Sequence, residues 1–201
     1  MRRLFAVALS LIAMVCVPHG TAQSKGDAAD SLIHVRLDSS PIYKEMAAVS
    51  LASALLKKQI ARNDDGSGSL TAVLLLTTRP GFACQSDPDV SLASEKEFII
   101  GISLYEAFAA REGPEKTVLH QMLFSAPKTL DLSHPVVFQW KGETAVLFRV
   151  GAGESQWQSL KSGREENGLT ISSEGGDTVV ALDYGDQATQ IQGRVRPTRC
   201  P

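Results

Sequence analysis

The stretch Ser40-Pro41-Ile42-Tyr43-Lys44-Glu45-Met46-Ala47-Ala48-Val49-Ser50-Leu51-Ala52-Ser53-Ala54-Leu55-Leu56-Lys57-Lys58-Gln59-Ile60-Ala61-Arg62 reads as one long helix. Ser40 is a capping residue, and Pro41 suits the first helical position, where a missing N–H costs nothing. On a wheel of about 3.6 residues per turn, Ile42, Met46, Val49, Leu56 and Ile60 form one apolar stripe. Ala48, Leu51 and Leu55 form a second on nearly the opposite side. A helix with two apolar faces is either sandwiched inside the protein or offers one face to a partner, and burial on both sides is the simpler expectation. The helix is therefore expected from Pro41 to about Arg62.

Everything around this stretch reads as strand and turn. Leu32 to Leu37 alternates, with Ile33, Val35 and Leu37 on one side and His34 and Arg36 on the other, the pattern of a half-buried strand. Asn63 to Ser69 is a Gly/Asp turn. It lacks the alternating oxygen ligands and terminal Glu of a calcium loop. Leu70 to Thr78 is an unbroken apolar run that suits a strand covered on both faces. Arg79 to Ser94, with Pro80, Gly81, Cys84 and Asp87-Pro88-Asp89, is a long loop, and loops of that length often carry function. Further strands are expected at Phe98 to Tyr105 and Thr117 to Phe124. Val136 to Trp140 and Thr144 to Val150 read as a hairpin, since pairing Trp140 with Thr144 gathers the apolar residues on one face. Leu169 to Ser172, Thr178 to Tyr184 and Ala188 to Arg196, separated by Gly/Asp turns, have the spacing of an antiparallel meander.

The expected fold class is therefore α+β: a mainly antiparallel sheet or sandwich of about eight strands, packed with one long N-terminal helix.

The two ends of the sequence bear on location and stability. Arg2 and Arg3 precede an apolar run from Leu4 to Val17 and then Pro18-His19-Gly20-Thr21-Ala22, the order of a cleavable export signal. The run is shorter than the roughly 20 residues that span a bilayer. Small residues at Gly20 and Ala22 set the cut before Gln23. The organisation expected is a signal peptide at 1–22, a flexible lead-in at 23–31 and a single domain at 32–201, with the periplasm as destination. Removing 22 of 201 residues leaves 179, enough to bury a full core. It removes two arginines and no acids, so the formal charge goes from −2 to −4, and such a chain carries no electrostatic footprint for nucleic acid. Cys84 and Cys200 are the cysteines left after cleavage. In an oxidising compartment they are expected to form a disulfide.

Catalytic signatures are sparse. The histidines after the signal are His34, His120 and His134, none beside a serine in a nucleophile elbow. Metal sites want closely spaced His or Cys pairs, and none occurs. The paired acids Glu165-Glu166 and Glu95/Glu97 read as solvated charge, and the basic tail Arg194, Arg196 and Arg199 as an edge strand or an anion contact. Neither a catalytic residue, a metal nor a cofactor is expected. Two aromatics are candidate binding anchors: Phe82 in the long loop, and Trp157 among Gln156, Gln158 and Ser159, whereas Trp140 suits the core. The preferred reading is a non-enzymatic periplasmic binding protein with a protein partner in the envelope, such as an inhibitor or immunity factor against a toxin or hydrolase. The alternatives are a small envelope hydrolase using dispersed residues such as His120 or His134, and a carrier of a lipid or other apolar ligand.

Overall fold

The structure, a computed structural model, describes residues 31–37, 40–125, 137–141, 143–153, 156–159, 168–174, 176–185 and 189–201. The expected signal peptide, the lead-in up to residue 30 and His134 lie outside them. The described chain forms twelve strands: β1 Leu32–Arg36, β2 Ala47–Ser50, β3 Ser53–Arg62, β4 Gly68–Thr77, β5 Phe98–Phe108, β6 Val137–Gln139, β7 Glu143–Val150, β8 Gln158–Ser159, β9 Gly168–Glu174, β10 Asp177–Gly185, β11 Gln190–Val195 and β12 Thr198–Arg199. They make two sheets, ordered β2-β1-β11-β10-β9-β6 and β12-β3-β4-β5-β7-β8. All pairings are antiparallel except β12 on β3.

The expected long helix at Pro41–Arg62 is overturned: the fold is mostly β, and this stretch supplies β2 and β3. Its capping signal is locally sound, since Ser40 Oγ accepts from the N–H of Tyr43 at 3.2 Å. The turn goes no further because Tyr43 is pulled into the core, where its hydroxyl donates to the carbonyl of Lys96 (2.7 Å) and its ring meets Phe98 edge-on. Beyond it, Ala47, Val49 and Leu51 face the core while Ala48, Ser50 and Ala52 are exposed, a period of two. All ten residues of β3 then pair with β4. A ladder of that length outweighs a helix preference of tenths of a kcal/mol per residue, and it completes β4, whose apolar run lies between β3 and β5. The connecting turn relies on Gly66, with φ of 83°, and on Gly68, where a Cβ would fall 2.0 Å from the carbonyl oxygen of Ala61.

Two further expectations are corrected. Thr117 to Phe124 is a helix, α1 (Val118–Leu123), rather than a strand, because Thr117 Oγ1 accepts from His120 N–H and Glu106 caps the preceding donors. The segments around Trp140 do not form a hairpin: β6 pairs with β9 in one sheet and β7 with β5 in the other, so the chain crosses between layers there. The strand at Leu32 to Leu37 and the meander are as expected. Ile33, Val35 and Leu37 are fully buried, and β9, β10 and β11 are neighbours.

The sheets enclose one apolar core, built from Ile33, Val35, Val180, Leu182 and Ile191 on one side and Leu56, Leu74, Ile100, Ile102 and Phe148 on the other. A second, smaller core lies on the outer face of the β3-β4-β5 sheet. There Leu55, Leu75 and Ile99 are covered by Phe82, Leu92 and Cys200. This outer layer positions the candidate site.

Candidate functional site

The loop between β4 and β5 folds back over its own sheet and is fastened at three levels. Cys84 is bonded to Cys200, with their Cα atoms 5.4 Å apart, so the expected disulfide is present and joins residues 116 apart in sequence. Phe82 and Leu92 are buried at 5% and 3% exposure. The third fastening is Arg149, which no reading of the sequence singled out. It is wholly buried on β7, and its guanidinium donates to the main-chain carbonyls of Pro88, Asp89 (3.5 Å) and Val90 (3.1 Å). A planar fork with five donors suits three converging carbonyls, and a buried cation is tolerable only with such partners.

Trp157 packs against that guanidinium, its ring centroid 4.8 Å from Arg149 Cζ, and its Nε1–H donates to Asp89 Oδ1 at 2.7 Å. The half-buried indole thus closes the clamp. The structure places Phe82 inside the second core, where it holds the loop instead of presenting a contact surface, and makes Trp157 a bridge between loop and sheet. Both expected residues lie in one outer layer. The exposed residues in the middle of the loop, Gln85, Asp87, Asp89 and Ser91, are polar. Its base is tied by Arg79, which donates to the Ser91 carbonyl and lies 3.8 Å from Glu97.

The loop borders the free side of β3. Lys57 Nζ donates to the Ser86 carbonyl at 3.2 Å, and an open pocket of about 260 Å³ lies between Lys57–Gln59, the disulfide and Pro201. On the opposite face of β3, Lys58 Nζ sits 5.4 Å from the Phe124 ring centroid, beside His120. Burial, helped by the Lys58 charge, holds the His120 imidazole below its ordinary pKa, with Glu115 opposing.

The other expected groups are dispersed. His34 is exposed on the outer face of the β1 sheet, opposite Gln192. Arg194 and Arg196 pair with Glu174 at 2.5 and 3.1 Å, and Arg199 donates to Thr178. Trp140 is buried, its Nε1–H donating to Thr144 Oγ1. Among the described residues no cluster of three or more His, Cys, Asp or Glu is arranged to hold a metal, and no helix is long and apolar enough to cross a membrane. No protein-family model, curated protein or solved structure matches the chain.

Proposed function

We propose that the chain is an exported, periplasmic, non-enzymatic binding protein whose partner is an envelope protein, of the kind an inhibitor or immunity factor would engage. The observation that carries the reading is the clamped loop. Disulfide, buried Arg149 and apolar packing hold it in one shape while Gln85, Asp87 and Ser91 face solvent. A loop ordered before a partner arrives loses little conformational entropy on binding, so more of the contact energy remains as affinity. Trp157 and Phe82 serve this reading from beneath, by fixing the loop.

A photo-crosslinking residue placed at Gln85 or Ser91 in the full chain, expressed in its native cell, tests it. The expected result is a discrete adduct with one envelope protein, absent when the same group sits at Ala48 on the far sheet. Equal labelling from Ala48, or no adduct from any loop position, would overturn it. Intact mass of the exported protein should correspond to a chain starting at Gln23, and a retained Met1 would remove the export signal from the argument.

A further inference from the structure

The edge of β3 is only partly used. β12 lies parallel to it opposite Leu55 and Leu56, and the N–H of Cys200 donates to the carbonyl of Leu56 at 2.8 Å. The main-chain groups of Leu56 therefore point away from β4. Because that direction alternates along a strand, the N–H and C=O of Lys58, Ile60 and Arg62 point the same way. Among the described residues no strand pairs with that side of β3 beyond Leu56. The side chains from Lys58 to Arg62 are exposed, Ile60 at 41%. The pocket where β12 leaves β3 gives room for a strand end.

The charges along this edge select what can pair with it. Lys57, Lys58 and Arg62 make no ion pair among the described residues, in a chain whose formal charge is negative. Lys58 and Arg62 instead lie over the rings of Phe124 and Phe108, at 5.4 and 5.7 Å. Lysines on an edge strand ordinarily deter neutral strands. A second copy is disfavoured too, because antiparallel self-pairing about Ile60 sets Lys58 against Arg62, and like charges directly opposite destabilise a sheet.

We propose that the β3 edge from Lys58 to Arg62 binds an extended acidic segment of the partner protein as an added strand. Its residues alternate acid, apolar, acid on the α1 side, so that carboxylates meet Lys58 and Arg62 and the apolar side chain meets Ile60. Strand addition here rests on the chain being a protein binder at the adjoining loop, and it specifies the chemistry of that partner.

The probe is a capped peptide of core sequence Glu-Thr-Val-Thr-Glu, compared with its Lys-Thr-Val-Thr-Lys counterpart and followed by NMR on the full disulfide-bonded protein. At millimolar acidic peptide the amides of Lys58, Ile60 and Arg62 should shift and gain exchange protection, and the lysine peptide should bind at least about tenfold more weakly. Ile60→Pro removes an outward N–H without touching the β4 ladder and should abolish binding. The Lys58→Glu/Arg62→Glu double variant should invert the preference between the two peptides, which loss of folding would not do. Unmoved edge amides, equal binding of both peptides, or a concentration-dependent dimer abolished by Ile60→Pro would overturn the proposal. Loop adducts from Gln85 that persist while the edge ignores the acidic peptide would leave the binder reading intact and remove strand addition alone.

Discussion

Arg149 holds the outer loop through three of its main-chain carbonyls. Replacing it with Leu would leave the carbonyls of Pro88, Asp89 and Val90 without that donor beneath a packed loop, at an expected cost of about 3 kcal/mol. Arg149→Lys should recover little, because one ammonium cannot match the guanidinium's fork. Urea unfolding measures the loss, and hydrogen exchange should show it concentrated in residues 79–97. Tyr184 makes a different kind of prediction. It is buried in the main core beside Thr144, and burial pushes its hydroxyl up to about 12. The unfolded chain ionises this group near the ordinary value of about 10. Stability is therefore fully present below pH 10 and declines as pH rises through the window from about 10 to 12, because the unfolded state loses its proton first. Tyr184→Phe should flatten that decline, read as melting temperature against pH.

At the scale of elements, α1 is held by a residue from a different element. Glu106 on β5 accepts from the N–H groups of Val118 (3.1 Å) and Leu119 (2.7 Å), while Thr117 accepts from His120. A six-residue helix has little intrinsic stability, so these caps and the burial of Leu119 and Leu123 maintain it. Glu106→Ala should cost about 1 kcal/mol and speed amide exchange in α1. Glu106→Gln, which retains an acceptor, should cost less. If α1 exchanges no faster in the alanine variant, Glu106 is not its support.

For the whole molecule, the Cys84–Cys200 bond is the principal covalent constraint, since it fastens the loop and β12 to the same sheet. Closing a loop with a sequence separation of 116 should contribute about 4 to 5 kcal/mol in the chain-entropy picture. The Cys84→Ser/Cys200→Ser variant should unfold at correspondingly lower denaturant. It should also release β12 from β3, seen as faster exchange at Leu56 and Cys200. A midpoint unchanged from the oxidised protein would show that residual structure already restricts the unfolded chain.

Sequence alone determined those features that depend on neighbouring residues or on arithmetic. The alternation of Ile33, Val35 and Leu37, the neighbouring strands of the meander, the apolar run of β4, the long loop and the cysteine pairing were all legible, since each is written in local periodicity, spacing or count. Tertiary structure decided whatever depends on which strand lies alongside. Leu55 and Leu56 are both buried because β3 has a core on each face, and two apolar faces about 180° apart resemble a two-striped helix until the partner strand β4 and the covering loop are known. The crossing between sheets after β6 and the capping of α1 by Glu106 are likewise long-range facts. The candidate site follows the same division. The loop and Trp157 could be named from composition, but Arg149 sits in an apolar strand as an isolated charge, and its role exists only because the fold brings three carbonyls and an indole to its guanidinium.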